Sequence, residues 1–210
     1  MKTTAVLKTI MGTLREELVV AANGRVSREA FALKDRPQNF YMIGSMGLAS
    51  SIALGLALTQ PQRKVVILDG DGNVLMNLGG LPQIGERLPP NLVHIVIDNE
   101  TYGSTGSQAT ISRKIPLEKI ALASGYPVVE KVTEEKDFKL ALERCLEKKG
   151  PSFLLVKVEA EEGPEGLPRV SHSPVVIRDR FMETIRRGVL QYAPTLLPSP
   201  ATGATNAKTF

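Results

Sequence analysis

The sequence predicts an α/β fold, with a doubly wound, mostly parallel sheet and helices on both faces, and three observations carry that expectation. Short apolar runs alternate with segments whose apolar residues recur at helical spacing. Two of those runs, 64–69 and 92–97, end in polar segments, Gly70-Asp71-Gly72-Asn73 and Asp98-Asn99-Glu100-Thr101, and 25 residues separate Gly72 from Asp98. That length holds one crossover helix plus the second strand, as a parallel pair requires. Thirdly, the run 153–158 is almost continuously apolar, the pattern of a strand covered on both faces.

The elements follow in order. Val6, Leu7, Ile10, Met11 and Leu14 recur at helical spacing and place a first helix. Residues 18–22 read as a buried strand, closed by the turn pair Asn23-Gly24. Met42-Ile43 leads into Gly44-Ser45-Met46-Gly47, and 48–58 is a helix of small residues able to lie close against a sheet. The strand 65–68 precedes the Gly-Asp-Gly-Asn turn, and 74–87 is its crossover helix, interrupted at Gly79-Gly80. The strand 92–97 comes next. Helices at 117–124 and 137–148 flank a short strand at 128–132, and 153–158 completes the sheet. An amphipathic helix at 178–191 ends a domain spanning 1–192, and 193–210, rich in Pro, Thr and Ala, reads as a disordered tail. There is no internal repeat.

Composition narrows the function classes. With 210 residues, 42% hydrophobic and 23% charged, the chain can bury a substantial core and has the make-up of a soluble globular protein. Lys and Arg exceed Asp and Glu by 26 to 22, but the excess is spread out. Only Arg36, Arg63-Lys64, Lys148-Lys149 and Arg186-Arg187 stand out, without interleaved aromatics, which argues against a nucleic-acid surface. The lone Cys145 excludes an intrachain disulfide and a multi-cysteine metal site; within the helical pattern 138–146 it reads as a buried thiol. Residues 1–8 lack the apolar core of a signal peptide, and 46–58 is too short to span a bilayer. A cytoplasmic protein with no membrane partner is the expectation.

On neighbouring parallel strands, Asp71 and Asn99 would reach the same carboxyl edge, where open α/β sheets bind ligands. A carboxylate and an amide oxygen there, beside a glycine-flanked turn and a helix N-terminus, suit a hard cation carrying a diphosphate. A dinucleotide loop fits less well. Asp71 occupies the middle of the turn and Leu75 stands at the third glycine position, so a bare carboxylate would repel a pyrophosphate unless a metal lay between them. No G-x-x-x-x-G-K-[ST] loop is present. Each residue also has a plainer reading: Asp71 as the cap of a helix beginning near Asn73, Asn99 as a turn residue, Met46 as core. Ser104-Thr105-Gly106-Ser107 is either a loop over a ligand or a solvated turn. His94, mid-strand, reads as a structural histidine, His172 as an exposed loop residue, and Glu100 as surface.

Taken together these segments carry a resemblance. Gly70-Asp71-Gly72 followed by Asp98-Asn99 resembles the GDG…N signature of thiamine diphosphate enzymes. The resemblance implies that Asp71, Asn99 and the Thr101 carbonyl ligate Mg²⁺. It further implies that Gly44, Ser45, Met46, Gly70, Gly72, Asn73, Tyr102 and Gly103 join them around the cofactor. Met46 would prop the bent cofactor, and the Gly44 carbonyl would accept a hydrogen bond from its amino group. More closely, Asn39-Phe40-Tyr41-Met42 running into GSMGLASSIALGLAL, DGDGNVLMNLG and DNETYGSTGSQ is similar to sulfopyruvate decarboxylase β subunits, and slightly less so to phosphonopyruvate decarboxylases. It spans about Leu18 to Gly125, with an echo at Arg180-Phe181-Met182.

That resemblance implies a β subunit of a thiamine diphosphate- and Mg²⁺-dependent 2-oxoacid decarboxylase, converting sulfopyruvate to sulfoacetaldehyde and CO₂. The glutamate that activates the cofactor would come from a separate α subunit carrying the pyrimidine-binding domain, and the chain alone would self-associate as a dimer. Arg113 and Lys114 are candidates for the anionic substrate tail. The alternatives are a phosphonopyruvate decarboxylase, a 2-oxoacid:ferredoxin oxidoreductase β subunit, an acetolactate synthase-like half, and a non-enzymatic cofactor-binding module.

Overall fold

The computed structural model describes residues 1–160 and 166–192, so the expected tail at 193–210 lies outside the described residues. In chain order the elements are α1 (Thr3–Thr13), β1 (Leu18–Ala21), α2 (Arg25–Leu33), β2 (Asn39–Tyr41), α3 (Ala49–Thr59), β3 (Val65–Gly70), α4 (Asp71–Met76), α5 (Gly80–Arg87) and β4 (Asn91–Asp98). A two-strand ribbon follows, β5 (Thr101–Tyr102) and β6 (Gln108–Ala109), then a 3₁₀ turn at Ile111–Arg113. The remainder is α6 (Leu117–Ala123), β7 (Val128–Val132), α7 (Glu135–Glu147), β8 (Gly150–Lys157) and α8 (Pro174–Tyr192).

Six strands form one sheet in the order β2-β1-β3-β4-β8-β7, and each of its pairings is parallel. The strand 64–69 and the strand 92–97 of the sequence reading are therefore neighbours, β3 and β4, with Gly70 opposite Ile97. From β1 the chain moves outward to β2, then returns to β3 and proceeds the other way. The winding reverses between β1 and β3, and the carboxyl ends of those strands diverge into a crevice.

Side chains alternate across the sheet and separate two apolar layers. Val19, Ala21, Val66, Leu68, Val93, Ile95, Leu154 and Val156 face α1, α2 and α7. Leu18, Val20, Val65, Ile67, Leu92, Val96, Phe153 and Leu155 face the layer that contains α3, α5 and α6. Helices thus cover both faces, as the doubly wound expectation requires. Among the described residues no helix is long and apolar enough to cross a membrane.

Strand β2 and the β5–β6 ribbon are additions to the sequence expectation, and the structure departs from it at four further places. Helix α2 was not anticipated: it buries only Val26, Ser27, Glu29 and Ala30, too thin and too polar a stripe to read as periodic. The crossover from β3 to β4 is two helices, and the first begins at Asp71, directly after the strand, rather than near Asn73 or at 74. Its N-cap is Gly70, so Asp71 lies in the first turn and is not the cap. The crossover breaks at 77–79, where Asn77 turns its amide to the Gly47 carbonyl, 3.0 Å away. Helix α8 begins at Pro174, a residue suited to a first helical position, and seats Phe181 against Phe40 of β2 with ring centroids 5.5 Å apart.

Candidate functional site

A cavity of about 640 Å³ opens at the carboxyl edge of the sheet, where the winding reverses. Of the residues expected at a site, Met46, Gly70, Asp71, Gly72, Asn73, Asn99, Thr101, Tyr102 and Gly103 line it. Gly44 and Ser45 do not. Ser45 adopts φ +57° and Gly47 φ +96°, so the loop doubles back and offers Met46, alone of the three, to the cavity wall. The loop Ser104–Ser107 also lines the cavity, and its residues are exposed, so both of its readings stand.

Asp71 is the carboxylate of the wall. Its residue is buried, 2% exposed, and its Oδ2 accepts hydrogen bonds from the Thr110 and Ser112 hydroxyls. Ser112 also donates to Asp98 Oδ1 at 2.9 Å, and Lys157 Nζ holds Asp98 Oδ2 at the same distance. Burial pushes the Asp71 carboxyl up to about 6; the Thr110 and Ser112 bonds pull it down, and nearby Asp98 adds to the rise. A carboxylate this poorly solvated gains from a bound cation. The adjoining turn is pinned by its own side chains, with Asn99 Oδ1 accepting from the Thr101 amide at 3.1 Å and Glu100 at φ +59°.

Gly72 is needed for close approach. A Cβ there would stand 2.6 Å from Cε1 of Tyr102 and 3.4 Å from Cε of Met46, so both side chains converge on its bare backbone. Asn73 lines the cavity, yet its amide is committed: Oδ1 accepts from the Gly47 amide at 2.7 Å and Nδ2 donates to Asp69 Oδ1 at 2.5 Å.

Other assignments change. Arg113 lies 3.5 Å from Glu100 and, like Lys114, is exposed and off the cavity wall; the cations on that wall are Arg25 and Arg28. Arg25 pairs with the buried Glu29, and Arg28 bonds the Leu167 and Pro168 carbonyls. These residues were missed because helix α2 was. Thr110 and Ser112 were missed because they reach Asp71 from 39 and 41 residues away, a distance no local motif records. His94 is fully buried in β4, as read, although it is bonded to Asp69 and Tyr126 and not merely packed. His172 is half-buried, against Asp35 and the Phe31 ring. Cys145 is buried, its thiol pushed up to about 12 by that burial.

The donors fit a hard cation carrying a diphosphate. No three His, Cys, Asp or Glu side chains form a metal cluster among the described residues. A cation would instead have one carboxylate here, neutral amide or carbonyl oxygens, and the phosphate oxygens themselves, which is the manner of Mg²⁺. Helix α4 adds little, since its six residues carry little macrodipole.

The model of the thiamine pyrophosphate enzyme C-terminal TPP-binding domain matches residues 23–156. The chain belongs to that family. It is 41% identical over 180 residues to the sulfopyruvate decarboxylase subunit beta of Methanothermobacter thermautotrophicus, covering 86% of this chain and 93% of the relative. It is 42% identical to the phosphonopyruvate decarboxylase of Streptomyces viridochromogenes over 84% of this chain, but over only 44% of that longer protein. Among solved structures, benzoylformate decarboxylase from Polynucleobacter necessarius superposes with a TM-score of 0.63 at 21% identity, over 78% of this chain and 34% of that one, a likeness of fold.

Proposed function

We propose that this chain is the β subunit of a thiamine diphosphate- and Mg²⁺-dependent 2-oxoacid decarboxylase acting on sulfopyruvate. The observation that carries the reading is the convergence of Asp71, Asn99 and Met46 on one cavity at the winding reversal. The likeness to sulfopyruvate decarboxylase β subunits supports it, because it extends over 93% of such a relative. A phosphonopyruvate substrate is the second reading, supported by comparable identity and weakened by the relative's extra length.

In this reading Asp71, Asn99 and the Thr101 carbonyl hold Mg²⁺, and the backbone from Gly70 to Asn73 meets the diphosphate. Thr110 and Ser112 keep the Asp71 carboxylate turned toward the cation. Met46 and Tyr102 close over Gly72 and exclude water from the inner wall. Gly44 and Ser45, off the cavity wall, would contact the cofactor only by the motif resemblance. Arg25 and Arg28, which lie on the wall, join Arg113 and Lys114 as candidates to bind anionic groups, and would have to exchange their bonds to Glu29 and to the Leu167 and Pro168 carbonyls to do so. Bound thiamine diphosphate supplies the electron sink that stabilises the carbanion left when CO₂ departs. The activating glutamate comes from an α subunit with the pyrimidine-binding domain: neither Glu29, whose Oε1 is held by Arg25, nor Glu100, held by Lys157 and Arg113, lines the cavity.

Calorimetric titration with thiamine diphosphate, with and without Mg²⁺, tests the assignment on a preparation containing the α subunit. Binding is expected to require the metal and to be lost in Asp71→Ala. Equal affinity after chelation, or an unaffected Asp71→Ala variant, would remove the basis for the site.

A further inference from the structure

Behind the cavity wall lies a buried polar chain that no ligand contact requires. Asp69 and His94 stand on the face of the sheet whose other positions are apolar, Val65 and Ile67 on β3 and Leu92 and Val96 on β4. Both are essentially without exposure, at 1% and 0%. His94 Nε2 lies 3.0 Å from Asp69 Oδ2, and His94 Nδ1 lies 3.3 Å from the Tyr126 hydroxyl, whose residue is 1% exposed. The other Asp69 oxygen, Oδ1, accepts from the Gly70 amide at 2.9 Å and from Asn73 Nδ2 at 2.5 Å. Asn73 Oδ1 in turn accepts from the Gly47 amide at 2.7 Å. The opposite end of Gly47 is held by Asn77 Nδ2, which donates to its carbonyl at 3.0 Å.

The donors converge on Asp69, from Tyr126 through His94 on one side and from Gly47 through Asn73 on the other. Asp69, as a carboxylate, only accepts, so the ring proton belongs on Nε2 and Nδ1 takes the Tyr126 hydroxyl proton. Burying such a carboxylate is costly unless every oxygen is engaged, and here both are. A hydrophobic pair at 69 and 94 would fill this layer more cheaply. What the polar pair adds is a common anchor for two segments far apart in sequence: the turn that begins at Gly70 and the loop that ends at Gly47. Met46 precedes that clamped glycine, and Asp71 follows Gly70.

We propose that Asp69 and His94 are positioning residues that set the placement of the Gly70–Gly72 turn relative to the Met46 loop, with Asn73 as the link. The inference rests on the cofactor reading only for what the two segments bind; the coupling itself is a property of this chain. Asp69 orients the Gly70 amide directly and the Gly47 amide through Asn73, and His94 holds the Asp69 carboxylate in the rotamer that serves both. Cofactor affinity therefore depends on a histidine that does not line the cavity.

The test uses ¹⁵N NMR of the full chain without cofactor, followed by calorimetry with Mg²⁺ and thiamine diphosphate in the presence of the α subunit. In the wild type the His94 ring should carry its proton on Nε2. Asp69→Asn is isosteric, and its amide, facing the ring, should move that proton to Nδ1. The variant's oxygen still accepts from Gly70 and Asn73, but as a neutral acceptor it bonds both more weakly, so the Gly70 and Gly47 amide resonances should shift together although Gly47 does not touch Asp69. Asn73→Ala should release Gly47 alone, leaving the Gly70 and His94 signals in place. Affinity for the Mg²⁺ and thiamine diphosphate pair should fall at least tenfold in Asp69→Asn with little change in melting temperature. An unmoved Gly47 resonance in Asp69→Asn, or an affinity loss that only tracks a lower melting temperature, would overturn the proposal. If His94→Phe does not fold, Asp69→Asn and Asn73→Ala still decide the matter. Coupled resonances in a wild-type chain that binds no thiamine diphosphate would uphold the coupling and refute the cofactor reading instead.

Discussion

Met46 shows how a residue's exposure separates site from core. It is 37% exposed at the rim of the cavity, whereas truncating a buried methionine typically costs about 2–5 kcal/mol. Met46→Ala should therefore leave the denaturant midpoint nearly unchanged while turnover of the assembled enzyme drops more than tenfold. A parallel loss of stability and turnover would make Met46 an ordinary packing residue. Gly72→Ala probes the neighbouring wall. Its methyl would be driven to 2.6 Å from the Tyr102 ring, so the ring must swing away and uncover the inner cavity. Calorimetry should show thiamine diphosphate binding weakened by tenfold or more. The motif residues were legible in the sequence because Gly70 to Asn73 are contiguous and their chemistry is local. Thr110 and Ser112, which aim the Asp71 carboxylate, were not, since only folding brings them across some 40 residues.

At the scale of elements, α5 and α6 meet at Gly85. A Cβ there would lie 1.6 Å from the Ser124 carbonyl oxygen, and that atom is backbone that cannot rotate aside. Gly85→Ala should destabilise the chain by about 1–3 kcal/mol or more, read by urea unfolding, with the site chemistry untouched. Helix α8 is fastened differently. Asp35 accepts from Arg180 at 2.9 Å, His172 at 3.2 Å and the Tyr41 hydroxyl at 3.1 Å, tying α8 and the segment before it to β2. Burial raises the Asp35 carboxyl, but the bonds from Arg180, His172 and Tyr41 outweigh it and hold it below its ordinary value. A depressed carboxyl stabilises the fold above the ordinary carboxylate range, and that contribution is lost as pH falls through the folded-state value. Hydrogen exchange should show α8 amides losing protection below about pH 4, earlier than the sheet, and Asp35→Asn should abolish that difference at a cost of about 1 kcal/mol. Elements with a clear apolar period, such as α1 and the strands, were legible. Helix α2 and the β5–β6 ribbon were not, because a thin stripe and a two-residue pairing leave no period to read.

For the molecule as a whole, the proposed function makes the cavity one side of a site. The loop before α3 and the end of α4 expose Ile43, Leu48 and Met76, at 61%, 46% and 60%, close to Met46. Exposed apolar side chains near Met46, which lines the cavity, suit a partner subunit. The chain purified alone should sediment as a dimer and should not decarboxylate sulfopyruvate; adding the α subunit should restore turnover. Full activity of the lone chain would place the activating glutamate within it, at Glu29 or Glu100. The family, the parallel sheet and the presence of Asp71 and Asn99 on one cavity could be read from the sequence, because they rest on local chemistry: apolar period, glycine turns, and an acid and an amide at a fixed spacing. Only the tertiary structure decided which residues share the cavity, how Asp71 is oriented, why Arg25 and Arg28 line the wall while Arg113 and Lys114 do not, and that His94, Asp69 and Asn73 form one hydrogen-bonded chain to the Gly47 amide. Those facts depend on contacts between segments distant in the chain, and such contacts exist only once the sheet has set its strand order and register.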